Sequence, residues 1–142
     1  MTAQPLPWSL HPQLSEDTHP VASWPLCELR LMDDDHHPWL ILVPRVADAT
    51  EITDLDAAQQ ATLMQEIDRA ARLLQVFRPQ KLNVAALGNL VPQLHVHVIA
   101  RFHDDIAWPK PVWGMTAARP YSMEALVERM RMLRSRLESG DA

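Results

Sequence analysis

Residues 93–100 are the stretch that most restricts how this chain can fold. They read Gln-Leu-His-Val-His-Val-Ile-Ala, and this alternation of polar and apolar residues has the period of a half-buried β-strand. The alternation predicts an apolar face and a polar face, formed respectively by Leu94, Val96 and Val98 and by Gln93, His95 and His97. Side chains on one face of a strand lie about 6.5–7 Å apart. The polar row is therefore about the size needed to hold one phosphate group.

The length, charge and cysteine content of the chain exclude several classes of protein. Its 142 residues can form one domain with a hydrophobic core and are too few for two ordinary domains. A net charge of −5 argues against binding along a nucleic acid polymer, which needs a basic face. Cys27 is the one cysteine, so an internal disulfide is impossible and a Cys-based zinc site is disfavoured. No apolar run approaches the ~20 residues of a membrane span, and the N-terminus lacks a signal pattern. We therefore expect a cytoplasmic protein that binds no membrane.

The first third of the chain predicts an irregular extension followed by a β-hairpin. Residues 1–25 are rich in proline, and we expect them to be irregular, with Trp8 and Trp24 anchoring them to the body. Residues 9–18 could include a short helix, whose length Pro12 and Pro20 limit. Residues 26–32 alternate well enough for a strand. Residues 39–43 form a continuous apolar run that ends at a proline, which is typical of a strand covered on both faces. The short polar turn between the two strands indicates an antiparallel hairpin.

The pattern on either side of the motif predicts two helices and a further strand. Residues 53–56 resemble a capping box, and an apolar stripe at helical spacing follows them, formed by Leu63, Met64, Ile67, Ala70, Ala71, Leu74 and Phe77. Residues 82–87 predict a strand, and Gly88-Asn89 a turn. Residues 104–120 are expected to form a long loop, and a final helix should run from about 122 to 139. Strands interrupted by one long helix predict an α+β domain in which an antiparallel sheet packs against that helix.

The two histidines of the motif allow three chemical interpretations. One is that both are polar residues on a solvated sheet face. Another is a metal site, which needs a third ligand, and the nearby candidates His103, Asp104 and Asp105 lie well beyond the pair. The third is phosphate chemistry, in which a neutral imidazole nitrogen attacks phosphorus while the other nitrogen keeps its proton on a fixed acceptor. Donors on either side of the central histidine would then stabilise the charge on the phosphate oxygens.

The motif resembles the signature of the histidine triad (HIT) superfamily, which reads His, apolar, His, apolar, His and then two apolar residues. Residues 39–45 resemble the family's apolar strand that ends in proline and a basic residue, and Trp108-Pro109 is similar to a segment of one HIT branch. The resemblance covers about residues 26–114. It implies that residues 1–142 form a single HIT-like domain with an antiparallel sheet of about five strands on one long helix. It also implies a homodimer formed by continuing the sheet and packing helices across a twofold axis.

The chain departs from the HIT pattern at the first position, where Gln93 stands in place of histidine. A register with His95 first is rejected, because the two apolar residues that close the motif are then missing. In the preferred register His95 matches the nucleophile, and His97 matches the last histidine, which holds and polarises the phosphate. A glutamine amide can hydrogen-bond but cannot deliver a proton near neutral pH. The substitution is compatible with leaving groups that depart without protonation, and also with a nucleotide-binding protein of low turnover.

The resemblance implies a small nucleotide derivative as substrate, such as a dinucleoside polyphosphate or a nucleoside phosphoramidate. His95 would attack its α-phosphate, form a nucleotidyl-histidine, and release the nucleotide to water or another acceptor, with no metal or other cofactor required. The family places amides near the phosphates where Asn89 lies, and it holds ribose hydroxyls near Asp33; each residue could equally be a plain turn residue. Arg101 is a further candidate for a phosphate contact, or simply a surface arginine.

Four more residues outside the motif have less definite roles. His37 is expected to lie with His36 in a solvated turn. Lys110 and Trp113 are expected either to border the site of a partner subunit or to anchor the loop.

Overall fold

The structure, a computed structural model, describes residues 7–140. Within these residues a five-stranded antiparallel sheet has the strand order β1-β2-β3-β5-β4. Its strands are β1 (Thr18–Ser23), β2 (Cys27–Met32), β3 (Trp39–Pro44), β4 (Lys81–Ala85) and β5 (Val96–Arg101). The α-helices are α1 (Pro12–Asp17), α2 (Ala57–Leu74) and α3 (Met123–Glu138). The predicted α+β architecture is confirmed, including the long helix and the final one.

The short helix that the prediction allows within residues 9–18 is present as α1, but the prediction of irregular structure is wrong for residues 18–23, which form β1. β1 pairs with β2 at the edge of the sheet, and its register shifts between Pro20 and Ala22. Proline is tolerated on an edge strand because its missing N–H is not needed for a second neighbour. Residues 1–6 of the predicted extension lie outside the described residues.

One face of the sheet packs against α2 and α3. The core there is formed by buried residues of the strands and both helices, among them Leu29, Leu42, Val98, Leu73 and Leu133. α3 begins after Ser122, whose side chain accepts a hydrogen bond from the Ala125 N–H at 3.1 Å. Trp24 is buried in this core, as expected of an anchor. No helix among residues 7–140 has both the length and the apolar character to span a membrane.

The start and the buried stripe of α2 differ in detail from the prediction. The capping box is formed by Asp56 and Gln59, with side-chain to backbone bonds of 2.8 and 2.9 Å, and not by residues 53–56. Asp54 belongs to a separate short turn of 3-10 helix that precedes α2. Met64 is 65 % exposed, and the acidic Glu66 is buried instead. The rest of the predicted stripe is confirmed, because its other residues are buried in the core or partly buried against it, namely Leu63, Ile67, Ala70, Ala71, Leu74 and Phe77.

Glu66 is stable inside the core because it ties α2 to the start of β2. Its carboxylate accepts the backbone N–H groups of Leu26 at 3.0 Å and Cys27 at 2.8 Å, which gives the buried charge two donors. Burial, together with the charge of Glu66, raises the pKa of the Cys27 thiol well above its usual range. Cys27 is consequently an unreactive core residue.

The other face of the sheet is covered by residues 7–14, which we call the N-terminal strap, and by the loop after β5. A second core cluster forms there, containing Leu14, Trp39, Ile41, Val43, Ile99 and Val112, with Trp8, Leu10, Met32, Val91 and Trp113 packed against it. β3 is buried along its whole length, which confirms that this strand is covered on both faces. Trp8 anchors the strap, as predicted.

Candidate active site

The two histidines lie at the start of β5, on the face covered by the strap. β5 begins at Val96, so Gln93 and His95 precede the strand and only His97 belongs to it. The apolar alternation holds, because Leu94, Val96 and Val98 all enter the core that faces α2. His95 and His97 are 7 % and 4 % exposed, so neither is a solvated surface residue.

A backbone hydrogen bond fixes the tautomer of His95. Its Nδ1 lies 2.7 Å from the carbonyl oxygen of Gln93. A carbonyl can only accept, so Nδ1 carries the proton and Nε2 is left with a free lone pair. The peptide between Gln93 and Leu94 is also held on its other side, where the Leu94 N–H donates to the Ala49 carbonyl at 2.9 Å. His95 is thus arranged as a nucleophile, with its proton on a fixed acceptor.

His97 has the opposite tautomer. The indole N–H of Trp39 donates to His97 Nδ1 at 3.0 Å, so the proton of the neutral ring lies on Nε2. Burial, with a further contribution from nearby His95, lowers the pKa of His97 to about 3. At neutral pH this side chain is an uncharged hydrogen-bond donor.

Aromatic rings surround His97 and restrict its motion. The ring centroids of His95 and His97 are 4.9 Å apart. Trp113 meets the His97 ring edge-on at 5.1 Å, and Trp39 meets Trp113 in the same way at 5.8 Å. Such edge-to-face contacts stabilise a packed arrangement beyond the area they bury. Trp113 therefore joins the loop after β5 to the histidine site of its own chain.

The side chain of Gln93 does not share this site. Its Oε1 accepts the His11 N–H at 2.8 Å, and its Nε2 donates to the Ser9 carbonyl at 2.9 Å. The predicted row of three polar side chains therefore contains two imidazoles, while residue 93 faces them with its carbonyl group. Its predicted catalytic role is not supported by a contact of its amide with either histidine.

The predicted substrate-binding residues lie at three separate places. Asn89 is exposed in a turn after Gly88, whose φ is +70°, and Gly88 and His95 line the same small cavity. Asp33 accepts the Tyr121 N–H at 3.0 Å and lines a cavity of about 450 Å³ together with Trp39 and Trp113. This cavity adjoins His97 through the two tryptophans.

Arg101 is 2 % exposed, and its guanidinium is bonded within the protein. It donates to Asp105 at 2.8 and 3.1 Å, to Asn83 at 2.7 Å and to the Lys110 carbonyl at 2.7 Å. Although burial raises the pKa of the Asp105 carboxyl, hydrogen bonds from Arg101 and from neighbouring backbone N–H groups hold it well below its usual range. Arg101 thus fastens the loop that carries Trp113, and a phosphate contact would require some of these bonds to break.

The histidines before β3 differ from the prediction of a solvated turn. His37 is 2 % exposed and lies 3.4 Å from Asp105, and burial lowers its pKa. His36 is half-buried and bonds Asp34 at 2.6 Å. The sequence of residues 33–37, three aspartates and two histidines, does not show that a loop distant in the chain covers this segment.

Comparison with known proteins identifies the family of this chain. The family model for the HIT domain matches residues 13–104. The chain belongs to the HIT family. HIT proteins commonly bind nucleotides and act as nucleotide hydrolases or transferases. A comparison with curated proteins finds no match.

Solved HIT structures align along nearly the whole chain. A histidine triad protein from Bradyrhizobium japonicum is 49 % identical, with 92 % of this chain and 98 % of that chain covered and a TM-score of 0.89. A HIT protein from Sinorhizobium meliloti is 41 % identical, with 90 % and 96 % covered and a TM-score of 0.87. One from Marinobacter aquaeolei is 42 % identical, with 94 % and 98 % covered and a TM-score of 0.87.

Sequence reasoning misses three residues, Trp39 in the site and Ser9 and His11 in the strap beside it. The pattern assigns Trp39 only to an apolar strand, although its N–H fixes the tautomer of His97. It also assigns Ser9 and His11 to an irregular extension, although both bond Gln93. Each contact joins residues far apart in the chain, so neither leaves a local signal.

Proposed function

We propose that this HIT protein is a nucleotide hydrolase or nucleotidyl transferase that acts at the α-phosphate of a nucleotide derivative, with His95 as its nucleophile. The single observation that carries the proposal is the 2.7 Å bond from His95 Nδ1 to the Gln93 carbonyl, which leaves Nε2 free to attack. HIT family membership supports the same class of reaction at a general level.

The proposed reaction has two displacements at phosphorus. The Nε2 lone pair of His95 forms a bond to the α-phosphorus, and the bond from phosphorus to the leaving group breaks, with its electron pair going to the leaving group. Water or another acceptor then attacks the nucleotidyl-histidine, loses a proton, and releases the nucleotide as the N–P bond breaks. The Nε2–H of His97 would stabilise the charge on a phosphate oxygen in both steps.

The nucleoside would occupy the cavity of about 450 Å³ lined by Asp33, Asp34, Trp39 and Trp113. The carboxylates that line the cavity can accept hydrogen bonds from sugar hydroxyls, and the aromatic rings that line it offer apolar contact to a base. Asn89, beside the cavity that His95 lines, would contribute its amide to a phosphate.

Trapping of the intermediate tests this proposal against a nucleotide-binding protein that lacks turnover. Wild type would be incubated with labelled dinucleoside polyphosphates, nucleoside phosphoramidates and adenylyl-sulfate-like anhydrides, and acid-labile label would be mapped by mass spectrometry. We expect label on residue 95 and none in His95→Ala. His103→Ala is the matched control, because His103 is an exposed histidine outside the site. Binding without label, or equal turnover by wild type and His95→Ala, would refute the enzyme proposal.

We also propose that the protein is a homodimer that continues the sheet across β4. This strand lies at one edge of the sheet, and its residue Val84 is 50 % exposed. An exposed apolar edge strand is a suitable surface for pairing with a second copy. Light scattering should give twice the mass of the chain for wild type and a lower mass for Val84→Asp. A monomeric wild type at micromolar concentration would contradict the proposal.

A further inference from the structure

The side-chain amide of Gln93 forms two hydrogen bonds with the backbone of the N-terminal strap, one as donor and one as acceptor, in the manner of a neighbouring β-strand. It accepts the His11 N–H at 2.8 Å and donates to the Ser9 carbonyl at 2.9 Å, so it pairs with two alternate residues of the strap. A primary amide has a donor and an acceptor on one carbon and can form both bonds side by side. A carboxylate offers acceptors only, and an imidazole has its two nitrogens on different sides of the ring.

The strap lies on the sheet face that carries His97. Trp8, Leu10 and Leu14 pack in the same cluster as Ile41, and Ile41 is the register partner of His97 across the β3–β5 pair. Leu14 is 3 % exposed. The strap is thus packed beside the site along its length, while the Gln93 amide bonds the middle of it.

The strap ends within α1, and the rest of this helix forms one wall of the cavity beside His97. Glu16 and Asp17 line this cavity of about 450 Å³ together with Trp39 and Trp113. The Asp17 carbonyl also accepts the Asp33 N–H at 2.9 Å, so this wall adjoins Asp33, which lines the same cavity. Movement of the strap would therefore change the shape of the cavity.

We propose that Gln93 is a positioning residue that fastens the strap, and that it thereby sets the affinity for the nucleoside rather than the rate of proton transfer. The assignment of the cavity to a nucleoside rests on the proposed function; the fastening itself does not. On this proposal a glutamine stands at position 93 because the strap needs a donor and an acceptor together. The strap then holds in place the part of α1 that lines the cavity.

A pair of substitutions at His11 isolates the fastening bond. The φ of His11 is −56°, within the range of proline, so His11→Pro removes the N–H that bonds Gln93, and its ring displaces the Gln93 amide from that position. His11→Ala is the matched control. Both variants lose the side chain that caps α1 through the Gln13 N–H, but only the proline variant loses the bond to Gln93. Gln93→Ala removes both bonds to the strap.

Amide hydrogen exchange of residues 7–17 measures the fastening directly and needs no substrate. One neutral hydrogen bond contributes about 1 kcal/mol, which corresponds to about fivefold in an opening equilibrium. We expect exchange about fivefold faster in His11→Pro than in His11→Ala, and about 10- to 30-fold faster in Gln93→Ala than in wild type. Equal exchange in the two His11 variants would overturn the fastening.

Steady-state kinetics on the substrate found by the trapping experiment test the consequence for binding. We expect His11→Pro and Gln93→Ala to raise KM by about fivefold or more while kcat stays within about twofold of its control. Dissociation constants for the nucleoside monophosphates should shift by the same factor. A fall in kcat at constant KM would overturn the affinity role, because it would assign residue 93 to the chemical step.

The two proposals fail in different ways. If His95→Ala keeps wild-type turnover, the nucleophile is wrong, yet the exchange rates still decide whether Gln93 fastens the strap. If wild type binds no nucleoside monophosphate, the affinity role is wrong regardless of the exchange result.

Discussion

The protonation of His97 at low pH should lower the free energy of unfolding of this protein by an amount that can be calculated. The group has an ordinary pKa of 6.5, which burial and nearby His95 lower to about 3 in the folded protein. Between these values the unfolded chain binds a proton at this residue and the folded chain does not. The free energy of unfolding therefore has its full value above about pH 6.5 and falls as the pH falls towards 3. The bond from Trp39 opposes protonation further, because Nδ1 cannot accept it once protonated.

The magnitude follows from the two pKa values. From neutral pH to about pH 5 the loss is about 2 kcal/mol, and each further pH unit down to about 4 adds about 1.4 kcal/mol. Domains of this kind have total stabilities of about 5–15 kcal/mol, so the effect is large enough to measure by urea unfolding.

The control is His97→Asn, whose Oδ1 can accept from Trp39 as Nδ1 does and which does not titrate. Urea unfolding of both proteins at about pH 7.5, 6, 5 and 4.5 gives the difference in stability, in which the titrating groups that do not interact with His97 cancel. We expect wild type to lose about 2 kcal/mol relative to the variant by pH 5. Parallel pH profiles would refute the argument that His97 stays neutral in the folded site.

Three further substitutions test contacts around the site and the core. Trp39→Phe removes the N–H donor to His97, so NMR titration should show the His97 pKa moving back towards 6.5 and kcat should fall about fivefold. Asp105→Asn leaves the buried Arg101 charge without its anion, and thermal unfolding should show a loss of about 3–5 kcal/mol; an unchanged Tm would contradict this. Glu66→Leu leaves two buried N–H groups without an acceptor, so chemical denaturation should reveal a loss of about 2–5 kcal/mol in spite of the added apolar area.

The sequence predicts those elements of the fold that have a regular pattern of apolar and polar residues. Alternation assigns Val96 and Val98 to the core beside α2, and a continuous apolar run marks β3 as covered on both faces. β1 escapes prediction because Thr18-His19-Pro20 has no strand pattern and is stabilised by pairing with β2. The burial of Glu66 is not predictable from the sequence pattern, because a buried carboxylate depends on hydrogen-bond donors from another element.

Some features of the candidate site are likewise visible in the sequence, and others appear only in the folded chain. The spacing of His95 and His97 is visible in the sequence, and so is the requirement that the nucleophile keep one proton on a fixed acceptor. The acceptor itself is a backbone carbonyl, which no residue type reveals. Likewise, Gln93 carries an amide whose partners lie more than 80 residues away in the strap, and only the folded chain brings them together.

The burial of Cys27 makes this protein a convenient host for fluorescent labels. The one thiol of the chain is fully enclosed in β2, and burial together with Glu66 raises its pKa, so maleimides will not modify it in the native state. A dye attached to Ser15→Cys, an exposed position in α1, would then be the single probe on the molecule. Its emission would report opening of the strap in real time, without first removing the native cysteine.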